Sequence, residues 1–362
     1  MLIVRSPVRI SFAGGGTDLP AYYERFGGAV LSTAIDKYFY TTLCARHDGR
    51  IQVISSDLRI FETWRDIASM DVRGSGLEIP LAVLKDLSCE VSVDLFLSSE
   101  IPPGTGLGSS ASVCVNILKT LTTYLDRPLS KYDLAERAFH VARNTLRRHV
   151  GRQDEFAAAF GGLNFITFNT DGLTDVQPVD IDSELLRDLQ SRLLLFFTGS
   201  AHHSWTILQE QERSTASQTG RAVEALHEVR LLADRMLIAL RSGNLDVFGS
   251  LLNEGWQAKK RISGKISSPR IDHLYDSALR NGATGGKITG AGGGGFLLLY
   301  CEPEYQEAVR AALHAEGVRE MAFAFDNSGA QVIVNDPFID GDERGGSRWI
   351  FTPVASAGSF SS

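Results

Sequence analysis

Apolar and β-branched residues crowd "LIVRSPVRISF" at 2–12 and "KYFYTTLCAR" at 37–46, which predicts strands, and "HDGR" between Arg46 and Ile51 reads as a hairpin turn. The first third is therefore expected to be mostly sheet. "GLEIPLAVLKDL" carries a short helical pattern, and "VSVDLFLS" alternates as a strand does. A loop follows at 101–112, "IPPGTGLGSSAS", and then two helical patterns, "SSASVCVNILKTLTTYLD" and "SKYDLAERAFHVARNTL". The second opens on Ser130 and Asp133, a capping pair. The loop thus joins a strand to a helix.

Past "GRQDEFAAAFGGLNFITF", residues 170–190 are polar and acidic and read as a linker or surface hairpin, so a domain boundary is expected there. "RLLLFFTG" reads as a buried strand, followed by two long amphipathic patterns, from about Ser204 to Arg241 and from Leu245 to Ile262. Shorter elements come next: helix "PRIDHLYDSALRNG", a strand, a glycine run, strand "FLLLY", helix "PEYQEAVRAALHAEG", and strands "EMAFAF" and "AQVIV". This order predicts a small layered α+β second domain. The expected division is 1–175, 176–337 and a Gly/Ser-rich tail at 338–362, which reads as poorly ordered or docked late. No internal repeat is visible.

At 362 residues the chain has room for one large domain or two. Its 36 basic and 43 acidic residues give a net charge of -7, and the basic ones are scattered. That speaks against a nucleic-acid or anionic-membrane binder. No apolar window reaches the length of a membrane span and the N-terminus lacks a signal pattern, so a cytoplasmic protein is expected. Cys44, Cys89, Cys114 and Cys301 stand far apart, without metal or redox spacing, and are expected reduced and buried. Monomer and homo-oligomer are both open.

The 101–112 loop raises a chemical question. A glycine-rich strand-to-helix connection turns successive N–H groups into one concavity, and the helix start adds its positive dipole end. An anion is the natural guest, with Ser109 and Ser110 offering hydroxyls to a phosphate or to magnesium. Taken alone, Ser109 reads equally as a plain helix cap. The loop lacks the P-loop pattern, and the protein-kinase motif set is missing. Gly290, Gly292 and Gly295 spell a dinucleotide fingerprint, but an apolar strand follows where that fold needs a helix.

Three separated segments agree with one another. "SPVRISFAGGGTDLPAYYERFGG", "IPPGTGLGSSAS" and "GGKITGAGGGG" resemble, in order and spacing, the three motifs of the GHMP small-molecule kinases, over nearly the whole chain up to the tail. Within that family the wording of "AGGGTDLPAYYERFGGAVLSTAIDKY", "GRQDEFAAAFGGLNFITF" and "LNEGWQAKKRISGKIS" is nearest to the sugar 1-kinases. The resemblance implies an α+β GHMP kinase fold, with an N-terminal ribosomal-S5-like domain, a C-terminal ferredoxin-like domain and the active site between them. ATP, Mg2+ and a sugar phosphate are the implied reactants.

It also implies roles. Pro103, Gly104, Gly106, Leu107, Gly108, Ser109, Ser110 and Ala111 would wrap the triphosphate of ATP, with Ser110 toward the metal. Asp154 would stand beside the acceptor hydroxyl as base or orienting group, and Arg9 would offset its charge. Gly14, Gly15, Gly16, Thr17 and Asp18 would hold the sugar, with Gly292 and Gly293 close by. By themselves these residues have plainer readings: Asp154 opening "DEFAAAF", Arg9 paired on a surface strand, Asp18 capping "LPAYYERF". Lys287 reads as a charge on ATP or as an exposed edge-strand lysine.

The chain departs from the family at one point. Where many members carry a magnesium-binding Glu, this one has Ala142, and no acid lies between Glu136 and Asp154. Arg152, Lys259, Lys260, Arg261 and the start of "HHSW" at 202–205 are candidate sites for a remote phosphate. The expected activity is phosphorylation of the anomeric hydroxyl of D-glycero-D-manno-heptose 7-phosphate to the 1,7-bisphosphate, for nucleotide-activated heptose. A 1-kinase for an unphosphorylated sugar such as L-fucose, and a non-catalytic sugar and ATP sensor on the same fold, are the alternatives.

Overall fold

The structure, a computed structural model, describes residues 1–88, 90–199, 204–216 and 220–336. Cys89, His202, His203 and the 338–362 tail, on which expectations were placed, lie outside the described residues.

The first sheet has eight strands: β1 (Leu2–Ala13), β2 (Gly28–Ala45), β3 (Ile51–Ser55), β4 (Ile60–Trp64), β5 (Val93–Ser99), β6 (Leu163–Phe168), β7 (Thr174–Pro178) and β12 (Gln331–Asn335). They run β12-β1-β2-β5-β3-β4, with β6 on β2 and β7 on β6. β2 is long enough to hold two partners on one edge. Its first residues, Gly28 to Thr33, pair with β6 and its last, Phe39 to Ala45, with β5. Only the last part of β2 shows strand alternation in sequence, because residues 28–35 are buried throughout.

"HDGR" does not close a hairpin. β5 lies between β2 and β3, and β3 runs parallel to β5, so 46–50 crosses the start of β5. Val93, Leu95 and Leu97 of β5 are all buried, and a strand of that kind is paired on both edges. The crossing chain is fastened to it: Arg46 Nη1 donates to Asp94 at 2.6 Å, and the Val93 N–H donates to Arg50 O at 3.1 Å.

Four helices, α2 (Glu78–Leu87), α3 (Ser109–Tyr124), α4 (Lys131–His140) and α5 (Gln153–Phe160), cover the sheet, burying Leu81, Leu118, Ala135 and Phe156 with Val53 and Leu95. The expected cap holds, since Ser130 Oγ accepts the Asp133 N–H at 3.1 Å. A π-helical turn at Val141–Thr145 ends α4. A short helix, α1 (Pro20–Phe26), leaves the end of β1.

Helix α6 (Ser183–Ser191) leads into the second sheet: β8 (Leu193–Phe197), β9 (Ala283–Ile288), β10 (Phe296–Cys301) and β11 (Arg319–Glu320), in the order β11-β8-β10-β9 and antiparallel throughout. With α7 (Ser204–Ala216), α8 (Arg221–Arg241), α9 (Leu245–Lys260) and α10 (Pro269–Arg280) between β8 and β9, and α11 (Gln306–Ala315) between β10 and β11, this is the ferredoxin-like β-α-β-β-α-β order. The single pattern expected from Ser204 to Arg241 is two helices, and the second starts after Gly220, whose φ of 126° no helix accommodates.

"EMAFAF" is a strand only at its first residue. Met321 donates to Leu195 O in the second sheet, while Asp36 N donates to Ala324 O in the first, so 321–325 is the extended bridge by which the chain leaves one sheet for the other. The sheets therefore do not divide the chain at one point: residue 175 falls within β7, and β12 returns to β1. One apolar cluster joins the two halves, with Val8, Ile10 and Phe12 of β1 packed among Phe248, Trp256 and Leu298. Phe12 meets Phe248 edge-on at 5.3 Å between centroids.

Candidate active site

β1 ends beneath the 101–108 loop, where the Arg9 N–H donates to Leu107 O at 2.9 Å. The Arg9 side chain points into the fold and is 4% exposed. Its Nε and Nη2 donate to Asp154 Oδ1 and Oδ2, each at 2.8 Å, and its Nη1 donates to Gly106 O at 2.6 Å. That is a bidentate fork, the strongest way to orient a carboxylate. Asp154 sits in the first turn of α5, so it both opens the helix and faces Arg9.

Asp18 follows the first glycine segment and is not a helix cap, since Leu19 holds that position in α1. Its carboxylate accepts the Gly16 N–H at 2.8 Å and the Gln153 N–H at 3.4 Å. Burial, with the Asp154 charge behind it, pushes the Asp18 carboxyl above its ordinary range. Gly151 makes the approach possible, because a Cβ there would lie 1.9 Å from Asp18 Oδ2.

Gly108, in the left-handed region, holds the N-cap of α3, so Ser109 does not cap it. The helix start has no side-chain cap and no acid in its first turn, which leaves its N–H groups for a guest. The second and third glycine segments touch: a Cβ on Gly290 would lie 2.6 Å from Gly106 Cα.

Two lysines complete the electrostatics. Lys287 is buried, not exposed at the sheet edge, and its Nζ donates to Ser11 O at 2.9 Å and Phe12 O at 3.1 Å. Lys259 of α9 is buried too and donates to Gly290 O. Burial, and then the Arg9 charge, lowers the Lys259 ammonium to about 8. Burial and the charges of Lys259 and Arg9 press Lys287 well below the ordinary lysine range.

These groups face a cleft of about 620 Å³ between the two halves. It brings Arg9, Asp154 and Asp18 together with Gly15 and Gly16. Its other wall is the second segment, with Pro103, Gly104, Gly106, Gly108 and the residues Ser109 to Ala111. Gly14, Thr17, Leu107, Gly292 and Gly293 do not line it. Thr17 Oγ1 accepts the Ala29 N–H and sits 2.8 Å from Gly14 O, bracing the first segment, and Gly293 donates to Ile266 O at 2.8 Å, bracing the third.

Among the described remote-phosphate candidates, Lys259 lines the cleft and Arg152, Lys260 and Arg261 do not. Lys260 pairs with Asp272 and Arg261 with Glu228. Arg152 binds Glu136 and the Tyr23 hydroxyl in a separate cavity, with its guanidinium over the Phe139 ring. Sequence reading passed over Glu155, which also lines the cleft; the adjacent acids "DE" were the only signal, and spacing gave them one role. Burial pushes its carboxyl well above the ordinary range. Among the described residues no group of three or more His, Cys, Asp or Glu is placed to hold a metal ion, and no helix is long and apolar enough to cross a membrane.

Comparison with known proteins agrees with this geometry. Residues 78–162 match the GHMP kinases N terminal domain and residues 236–319 the GHMP kinases C terminal domain. The chain is 30% identical over 334 residues to the D-glycero-alpha-D-manno-heptose 7-phosphate kinase of Campylobacter jejuni, covering 90% of this chain and 97% of that one. It is 26% identical to the L-fucokinase/L-fucose-1-P guanylyltransferase of Bacteroides fragilis, over 84% of this chain and 35% of that protein. The crystal structure of a D-glycero-D-manno-heptose 1-phosphate kinase from Bacteroides thetaiotaomicron superposes with a TM-score of 0.78 at 29% identity, covering 93% of this chain and all of that one. A cleft between two such halves, in a chain that matches a kinase over nearly its whole length, makes this protein a member of the GHMP kinase family and a phosphotransferase with an alcohol acceptor.

Proposed function

We propose that the chain is an ATP-dependent sugar 1-kinase acting on the anomeric hydroxyl of D-glycero-D-manno-heptose 7-phosphate, in the cytoplasm. The observation that carries the reading is the bidentate Arg9–Asp154 pair, in a cleft that the uncapped start of α3 also lines, in a chain 30% identical to a heptose phosphate kinase over 90% of its length. ATP would lay its phosphates along Gly104 to Ser110, against backbone N–H groups. Asp18 would accept sugar hydroxyls and fix the ring.

Arg9 holds Asp154 in one orientation toward the acceptor. The sugar O1 bonds to the γ-phosphorus, the bond from that phosphorus to the β–γ bridging oxygen breaks, ADP leaves, and the hydroxyl proton passes to Asp154. An anomeric hydroxyl is acidic for an alcohol, so a carboxylate is base enough. Lys259, under the joint of the second and third segments, would meet charge on the transferring phosphoryl group.

A magnesium ion bound with ATP would supply neutralising charge at the phosphates. The cleft fits such an ion by its donors, with the Ser110 hydroxyl and a buried Glu155 oxygen that has no partner. The engagement of Arg152, Lys260 and Arg261 elsewhere favours a second reading, a 1-kinase for a sugar without the remote phosphate.

ADP release decides between the two, measured with magnesium and ATP on heptose 7-phosphate, mannose, fucose, galactose and a blank, with Asp154→Asn as control. Turnover confined to heptose 7-phosphate and lost in the control supports the first reading. Turnover on fucose alone supports the second. ATP binding without any turnover refutes both and leaves a sensor.

A further inference from the structure

Of the two cleft acids that take no part in the transfer steps above, Glu78 lies 4.0 Å from Arg148, whereas Glu155 has no ion-pair partner among the described residues. It is 2% exposed and lines the same cleft as Ser110, and its Oε2 has no hydrogen-bond partner. The nearest guanidinium cannot serve it, because both donor edges of Arg9 are taken by Asp154 and Gly106. A buried carboxylate oxygen without a donor is costly, and native structures keep one when a proton, a water or an ion completes it. Here the surroundings favour an ion. The uncapped start of α3, where a triphosphate would lie, lines the cleft, and Ala142 in the same lining offers only a methyl group.

We propose that Glu155 is the carboxylate that holds the divalent cation accompanying ATP, with the Ser110 hydroxyl as its companion, a proposal that rests on the kinase reading. Magnesium takes few protein ligands, commonly one or two carboxylates beside substrate phosphates and waters. A single carboxylate in the cleft that the α3 start also lines therefore suffices, and a cluster of three acids is not needed. The acid missing from position 142 is supplied instead from α5, which lines the same cleft.

The test reads metal binding, not turnover. Mn2+ is titrated by electron paramagnetic resonance into the full chain with a non-hydrolysable ATP analogue and no sugar, comparing wild type, Glu155→Gln, Glu155→Asp and the double variant Glu155→Gln/Ala142→Glu. The expected result is at least about tenfold weaker Mn2+ binding in Glu155→Gln, a smaller loss in Glu155→Asp, recovery in the double variant, and unchanged affinity for the metal-free analogue. Wild-type Mn2+ affinity in Glu155→Gln, or an equal loss of metal-free analogue binding, overturns the proposal. Failure of the wild type to bind the analogue at all sinks the kinase reading itself, a separate outcome.

Discussion

Replacing Gly106 by Ala tests whether the contact between the second and third glycine segments positions the chemistry. Gly106 has a φ of 82°, and a Cβ there would lie 2.5 Å from Thr289 O and 3.0 Å from Thr289 C. Both are backbone atoms, and Thr289 is itself held by its N–H bond to Phe296 O at 2.9 Å. Relief therefore requires the 101–108 loop to retreat by about half an ångström or more. The Gly106 carbonyl moves with it, away from the Arg9 Nη1 it binds at 2.6 Å. The left-handed backbone adds about 1–2 kcal/mol for any residue with a side chain.

A misplacement near 1 Å costs about 100-fold in rate, or about 2.7 kcal/mol of barrier. So kcat/KM for ATP should fall about 100-fold, measured by ADP release over a range of ATP, while the melting temperature drops by only about 2–8 °C. Gly172→Ala is the control: its φ is 86°, but nothing lies within 4 Å of the added Cβ. It shares the backbone cost without the collision. Wild-type kcat/KM in Gly106→Ala, or an equal loss in Gly172→Ala, would refute the reasoning.

Asp154→Asn keeps the shape beside Arg9 but not the charge, and should cut kcat by about 10²–10⁴-fold while leaving sugar KM within a factor of a few; unchanged kcat would dismiss Asp154 as base. Gly151→Ala drives a Cβ to 1.9 Å from Asp18 Oδ2, and should raise sugar KM at least about tenfold with ATP affinity preserved, as steady-state kinetics on both substrates will show. Lys259 loses its charge as pH rises through about 8, so kcat/KM for ATP should decline above that pH in the wild type and hold to higher pH in Lys259→Arg. Stability runs the other way. Between about 8 and the ordinary lysine value the unfolded chain binds the extra proton, so this lysine's contribution to folding stability rises with pH there, which denaturant titrations on wild type and Lys259→Met can separate.

Much of the scaffold was legible because local pattern and environment coincide. α3 and α5 show apolar faces at helical spacing, and β10 is a short apolar run that is buried at every residue. Pattern failed where partners are remote. Nothing near "HDGR" tells that β5, some forty residues later, will enter between β2 and β3. Nothing in "EMAFAF" tells that the chain there changes sheets. At the site, the motif glycines revealed where backbones approach, but not which of them line the cleft: Gly290 does, while Gly292 packs against Ile266 and the Gly293 N–H donates to its carbonyl.

Charge was the least legible property, and it decides what the cleft can accept. Successive residues of a helix point about 100° apart, so the neighbours Asp154 and Glu155 meet different surroundings, one a guanidinium and the other no donor for its Oε2. Four cations and four acids line the cleft: Arg9, Arg148, Lys259 and Lys287 against Asp18, Glu78, Asp154 and Glu155. Their formal charges cancel, but their commitments do not. Arg9 is bound to Asp154, and Lys287 is spent on the carbonyls of Ser11 and Phe12, with burial disfavouring its charge. Arg148 lies 4.0 Å from Glu78, and Lys259 Nζ donates to Gly290 O, so these cations too are partly engaged before a triphosphate brings its several negative charges. On the proposed kinase reading, such a cleft leaves much of that charge to a cation arriving with the ligand, and Glu155, whose Oε2 has no partner, is the group proposed to receive it.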